Sequence, residues 1–364
     1  MTKFGQIVIG PPGAGKTTYV DGLSQYLSAL QRPISRINLD PAADEPPYQP
    51  DIDIRDLCTV TDIMEEHSLG PNGAMLFAFE YIDLNFDWLE DKINESDSNY
   101  LVFDMPGQVE LTTGHISLIN ILEKLKKKLD CRLVVVHLTD AQSVADPSRY
   151  IAVCLLALRT MLALEQPQIN VLSKIDTLPR FGDLPFNLDY YTQVQDLDYI
   201  CDYLNRQRHT QRLEGLNRAI CEMVEDFGLV SFETLAVEDK ASMTKIVRLT
   251  DRVCGYVFQG ELAEQDSALS LFTSAMGSLP GEHDMDVQER WLDAREDYDA
   301  YEEEMWKEEG ELVAKEESER ESMSTQNTKQ SPQPPSQVTE MRPTVNTFSG
   351  AERPTIQTTN RAKS

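Results

Sequence analysis

The chain has 364 residues, 41% of them hydrophobic, enough to bury one large α/β core without requiring a second full domain. Its formal net charge is −28 at pH 7 with a pI near 4.5, so most of the surface repels polyanions and direct nucleic-acid binding is a poor expectation. Six scattered cysteines, with no CxxC pair and no metal-ligand spacing to the histidines, read as reduced intracellular thiols.

The N-terminal run MTKFGQIVIGPPG lacks the basic start, apolar stretch and small-residue cleavage site of a signal peptide. Short β-rich apolar runs then follow one another: QIVIG, SRINLD, YLVFDMPG, CRLVVVHLTD, QINVLSKID and LVSFETLAV. Between them the pattern predicts helices over 16–30, 74–94, 112–128, 147–164, 211–227 and 241–257. Strands apolar nearly throughout, alternating with helices, imply an α/β fold with a mostly parallel sheet covered on both faces, and ligands in such folds sit at the carboxyl ends of the strands. The most apolar helical run, 150–164, is interrupted by Arg159 and too short to cross a bilayer. No membrane association is expected, and the protein should be cytoplasmic or nuclear.

Pattern and composition divide the chain into three regions: an α/β domain over 1–260, an acidic helical extension over 261–321, and a disordered polar tail over 322–364 rich in Ser, Thr, Gln, Asn and Pro. The extension carries Trp291, Tyr298 and Met305 at roughly helical spacing. It reads as a solvated helix resting on the domain, with a partner-binding helix as the alternative.

The run VIGPPGAGKTTY fits G-x-x-x-x-G-K-[ST] after a strand and before a helix, which marks a phosphate-binding loop. Nucleotide contacts are expected from Gly10, Pro12, Gly13, Ala14, Gly15, Lys16, Thr17 and Thr18. Glycines let backbone N–H groups turn toward phosphate, and the helix that follows points its positive end there. Lys16 would neutralise the β and γ phosphates, and the Thr17 hydroxyl suits Mg²⁺. In YLVFDMPGQVEL the strand ends at Asp104, where a Walker-B carboxylate would hold Mg²⁺; Gly107 could reach the γ-phosphate, and Gln108 could orient water without being basic enough to deprotonate it. A second carboxylate, Asp40 in SRINLDPAADEPPY, could act through the Mg²⁺ shell or accept a proton from water.

INVLSKID at 169–176 addresses the base. Asp176 could accept hydrogen bonds from guanine N1–H and the 2-amino group, and adenine offers neither donor there. Lys174 would lay its stem across the purine. Many GTPases begin this motif with Asn; here Ser173 occupies the position and is expected to contact the nucleotide with Lys174 and Asp176. The tripeptide Gly70-Pro71-Asn72 reads in isolation as a helix-breaking turn.

These motifs in this order, with LGPNGAM between the Asp40 loop and Asp104, resemble the GPN-loop GTPases over about residues 4–260. The runs FGQIVIGPPGAGKTTY, INLDPA, FDMPGQVEL, FNLDYYTQV, LVSF and SAMG narrow the resemblance to one of that family's three eukaryotic branches. It implies a dimeric P-loop NTPase fold with the GPN loop as an insertion, GTP as substrate and Mg²⁺ as cofactor. Asn72 would reach the phosphate region of the opposite subunit, on a loop stiffened by Pro71. Catalytic roles would fall to Asp40, Gln108, Asn72 and Lys16, and metal contacts to Thr17, Asp40 and Asp104. The last base-contacting motif should lie near Leu235, Ala236 and Val237. Related dimeric enzymes often carry an extra lysine where Pro11 and Pro12 stand, no arginine finger is evident, and Arg36 reads as structural.

The resemblance further implies homodimers or heterodimers with other GPN-loop paralogues and a role in assembly and nuclear localisation of RNA polymerase II and III, through their subunits or assembly factors. It implies a cytoplasmic protein that shuttles to the nucleus. Two other readings stand beside the GTPase switch: a GTP-binding assembly chaperone or scaffold with negligible turnover, and an ATPase or nucleotide kinase using the same loop.

Overall fold

The computed structural model describes residues 2–43, 45–182, 184–205, 211–256, 287–301 and 307. Residues 1–299 form one compact unit and 300–364 a second, of which only 300, 301 and 307 are described. The polar tail and most of the acidic extension therefore lie outside the described residues.

Seven parallel strands make one sheet in the order β3-β2-β4-β1-β5-β6-β7. They are β1 (Lys3–Ile9), β2 (Ser35–Asn38), β3 (Ile52–Asp53), β4 (Tyr100–Asp104), β5 (Cys131–Asp140), β6 (Gln168–Ser173) and β7 (Phe232–Leu235). Six match the apolar runs. The edge strand β3 is two residues long, too short for any periodicity to mark. Alternate side chains feed opposite layers: Ile7 and Ile9 pack with Val135 under one face, and Phe4 and Val8 pack with Val134 and Val136 under the other.

One face is covered by α3 (Pro71–Leu84), α4 (Phe86–Glu95) and α6 (Ile116–Lys128); the other by α1 (Lys16–Ala29) and α11 (Lys240–Cys254). The helix expected over 74–94 is broken at Asn85, whose side chain and backbone N–H both donate to the Tyr81 carbonyl, ending one helix as the next begins. The helix expected over 112–128 is likewise split into α5 (Val109–Gly114) and α6, where His115 turns extended and its ring Nδ1 accepts from the Ser117 N–H. A short α2 (Val60–His67), capped by Thr59, precedes Gly70.

The same sheet face that carries α3, α4 and α6 continues over β6 and β7, where Leu172 and Phe232 meet a further buried cluster built on α7 (Pro147–Leu164), α8 (Leu188–Gln193), α9 (Asp198–Asn205) and α10 (Glu214–Phe227). By length and composition alone α7 could cross a membrane, but its Tyr150, Ile151, Cys154, Ala157 and Leu158 stripe is buried in this cluster. Trp291 is buried in the same cluster, so residues 287–299 of the acidic extension pack into the domain. The expected boundary at 260 does not coincide with this compact unit.

Candidate nucleotide-binding site

Six strands deliver the candidate groups to one edge of the sheet: Gly10 after β1, Asp40 after β2, Asp104 at the end of β4, Asp140 closing β5, Ser173 closing β6 and Ala236 after β7. Gly10 has φ +148°, and an added Cβ would lie 2.2 Å from the Leu138 carbonyl oxygen, so no other residue fits where β1 turns away from β5. Gly15 is left-handed at φ +84° and caps α1, which starts at Lys16. The loop from Gly10 to Gly15 thus ends on a helix N-terminus, the backbone arrangement that binds phosphate.

Lys16 is buried, with its Nζ donating to the carbonyls of Gly10 at 3.2 Å and Pro11 at 3.3 Å. Burial lowers its pKa, against the opposing pull of Asp104 and Asp40. Phosphate oxygens would replace those carbonyls as partners of the same ammonium. Gly107 belongs to this cluster: a Cβ there would meet Lys16 Nζ and Pro12 Cα, each at 3.1 Å. Pro12, Gly13 and Thr18 are exposed, and Ala14 is buried.

Asp104 is 3% exposed, and burial pushes its carboxyl up to about 6, with neighbouring Asp40 adding to the rise. The Tyr48 hydroxyl donates to its Oδ2 at 3.0 Å, and hydrogen bonding from Tyr48 and Thr17 together with the Lys16 charge resists the shift. Asp40 is also raised, chiefly by burial, while its Oδ1 accepts from the Ala42 N–H at 2.9 Å. Two carboxyls held above their ordinary range beside a hydroxyl are hard oxygen donors short of positive charge, a set that suits Mg²⁺. Behind Asp40, the Asn38 side-chain oxygen accepts the Asp40 N–H at 3.1 Å, and Arg36 pairs bidentately with Asp51, a structural role as expected.

Gly70-Pro71-Asn72 is not a free loop. Gly70 caps α3, Pro71 is its first residue, and Asn72 lies in the first turn, all three exposed. Proline fits there because the first helical N–H needs no partner. Within this one chain the Gln108 Nε2 donates to the Asn72 Oδ1 at 3.2 Å, so the tripeptide already touches the residue expected to orient water.

At the base end, Lys174 is left-handed at φ +57°, and its Nζ donates to the Gly13 carbonyl at 2.5 Å and pairs with Asp140 at 2.9 Å. Its Cε would lie 3.7 Å from a Cβ on Gly15, so the stem runs along the phosphate loop. Asp176 is partly exposed, and its carboxylate has no hydrogen-bond partner among the described residues. Ser173, expected as a nucleotide contact, is instead buried: its hydroxyl faces the carbonyls of Ala14 at 2.7 Å and Thr139 at 3.1 Å. It braces the phosphate loop from behind. Ala236 is held by Ser242, whose hydroxyl donates to its carbonyl at 2.8 Å.

A family described as "Conserved hypothetical ATP binding protein" matches residues 8–256. The chain is 46% identical to GPN-loop GTPase 2 of Saccharomyces cerevisiae over 83% of its own length and 88% of that protein. The chain belongs to the GPN-loop GTPase family. GPN-loop GTPase 2 of Danio rerio is 42% identical over 81% of this chain and 94% of that one. Among solved structures, the apo form of a GTPase from Pyrococcus abyssi is 26% identical, with a TM-score of 0.56, and the match covers 69% of this chain and 97% of that one. The fold is that of an α/β P-loop NTPase.

For this GPN-loop family member, sequence reasoning missed Tyr48, Asp140 and Arg295, whose Nη1 donates to the Asp176 backbone carbonyl at 2.6 Å. Asp140 carried a usable signal, since it ends an apolar strand just as Asp104 does. Tyr48 carried none, because nothing near it in the chain hints at Asp104.

Proposed function

We propose that this protein hydrolyses GTP with Mg²⁺ as a dimeric switch. One observation carries the reading: a buried lysine, Lys16, shares the mouth of a phosphate-binding loop with two electrostatically coupled carboxyls, Asp40 and Asp104. Thr17, Asp40 and Asp104 would hold Mg²⁺, which would neutralise charge on the β and γ phosphates. Lys16 leaves the Gly10 and Pro11 carbonyls for those phosphates. Gln108 orients the attacking water through its amide. Asp176, whose carboxylate has no partner among the described residues, selects guanine over adenine by accepting from N1–H and the 2-amino group.

Asn72 contributes from the helix start that presents it to solvent. In the dimer, its exposed amide reaches the phosphate region of the opposite subunit, and its bond to Gln108 couples partner contact to water positioning. The resemblance to the GPN-loop family supports a cytoplasmic protein that shuttles to the nucleus and helps assemble and localise RNA polymerases II and III with other paralogues. The acidic segment beyond 301 is the natural place to seek partner contacts, and a deletion should remove 302–364, because Trp291 is buried in the domain.

The test is GTP hydrolysis and dimer mass for wild type and Asn72→Ala at several protein concentrations, with ATP as competitor. Turnover that rises with dimerisation, and an Asn72→Ala protein that dimerises but hydrolyses slowly, is the expected result. Normal turnover in the variant removes Asn72 from the mechanism, negligible turnover in both supports the binding scaffold, and effective competition by ATP supports the ATPase reading.

A further inference from the structure

Residues 287–299 lie beyond the stretch that the family model covers, yet they return to the two loops that would frame the base. Trp291, 5% exposed, packs in the same cluster as Ile175, Leu178 and Ala236, and the Leu188 N–H donates to the Gln288 side-chain oxygen at 2.9 Å. The chain then makes one π turn, Glu289–Asp293, closed by the Ala294 N–H on the Glu289 carbonyl at 2.9 Å. Single π turns of this kind are frequent at functional sites.

The turn aims two arginines. Arg290, its side chain 4% exposed, lies 3.5 Å from Asp239 and 2.9 Å from Asp299, with its guanidinium over the rings of Trp291 and Tyr298. Asp239 caps α11 through the Ser242 N–H at 2.9 Å and donates its own N–H to the Ala236 carbonyl at 3.1 Å. Arg290 therefore holds the loop after β7. Arg295 donates from Nη1 to the backbone carbonyl of Asp176 at 2.6 Å and pairs with Asp299 at 3.4 Å. Asp299 thus joins both guanidiniums, one tied to each base-side loop.

We propose that residues 287–299 act as a strap that sets guanine selectivity, with Arg295 a positioning residue for Asp176 and Arg290 for the Ala236–Asp239 loop. The inference rests on the reading of Asp176 as the guanine acceptor. A guanidinium on the Asp176 carbonyl fixes the peptide from which the carboxylate projects, and two parallel hydrogen bonds to N1–H and the 2-amino group tolerate little misalignment. Hypoxanthine keeps N1–H and lacks the 2-amino group, so a loosened Asp176 loses more on guanine than on hypoxanthine.

The experiment measures Mg²⁺-dependent binding of GDP, IDP and XDP to the full chain as wild type, Arg295→Ala, Arg295→Lys and Asp176→Asn, with thermal melting in parallel. Arg295 is 37% exposed in its side chain, so its replacement leaves the core intact. The expected result is a GDP:IDP affinity ratio about 5- to 10-fold smaller in Arg295→Ala, partly restored in Arg295→Lys. Asp176→Asn should move preference from GDP to XDP, since an amide can donate to the 2-oxo group of xanthine. If Asp176→Asn makes that switch while Arg295→Ala keeps the wild-type ratio, or only lowers the melting temperature, the strap proposal is overturned. If Asp176→Asn does not switch, the guanine reading fails and takes the strap with it.

Discussion

Replacing Tyr48 by Phe removes one hydroxyl from the floor of the site and nothing else. Its target is the Asp104 carboxyl, which burial holds at about 6 against an ordinary 3.8, equivalent to ~3 kcal/mol disfavouring the ionised form. Because the folded pKa is raised, the empty protein binds a proton that the unfolded chain releases between those values. The contribution of Asp104 to stability is therefore favourable at low pH and lost as pH rises from 3.8 through 6. The 3.0 Å bond from Tyr48 opposes that loss by stabilising the ionised oxygen. A hydrogen bond to a charged group contributes about 1.5–3 kcal/mol, and the lower figure alone raises the carboxyl tenfold in proton affinity, to about 7. At about pH 5.5 the ionised fraction then falls roughly eightfold, and at about pH 8.5 it barely changes.

The assay is a Mg²⁺ titration of nucleotide binding at both pH values, with urea unfolding of the empty protein alongside. Tyr48→Phe should weaken the Mg²⁺ dependence by about eightfold at the lower pH and by less than about 1.5-fold at the higher. Stability should drop by ~1.5 kcal/mol at pH 8 and by less at pH 4. Equal losses of stability at the two extremes, or a Mg²⁺ effect independent of pH, would refute the assignment of Tyr48 to the ionised carboxylate.

Gly10→Ala should displace the phosphate loop outright, because its Cβ would stand 2.2 Å from the Leu138 carbonyl oxygen at a φ that side chains avoid; a loss of at least ~2 kcal/mol in unfolding and of measurable GDP binding is expected, and near-wild-type binding by calorimetry would contradict the geometry. Ser173→Ala deletes the brace to the Ala14 carbonyl, and GDP affinity should fall by about 5- to 10-fold, roughly 1–1.4 kcal/mol, with no change in the GDP:XDP preference. A changed base preference would place Ser173 on the nucleotide itself. Gly22→Val should shift the loop after β7, since even a Cβ at that position would lie 2.3 Å from Val237 Cγ1, and weaker GDP binding with an intact fold by circular dichroism is the readout.

The parts of the site whose chemistry is local are legible in the chain alone. Gly10, Gly15, Lys16 and Thr17 fall within eight consecutive residues and follow an apolar strand, so backbone turn, cation and hydroxyl are all written in one run. Asp104 was legible for the same reason, as the polar end of a strand apolar throughout, and such strands alternating with helices dictated the parallel sheet. Helix breaks at Asn85 and His115 were not legible, because the competing side-chain hydrogen bonds act only once the chain has chosen its turn. Which groups support the site emerges only from long-range packing. Tyr48 reaches Asp104 across 56 residues, Lys174 reaches Asp140 across 34, Arg295 reaches the Asp176 carbonyl across 119, and Ser173 reaches Ala14 across 159. No periodicity or spacing rule links residues so far apart, since their meeting depends on strand order, and strand order is set by how the whole core packs.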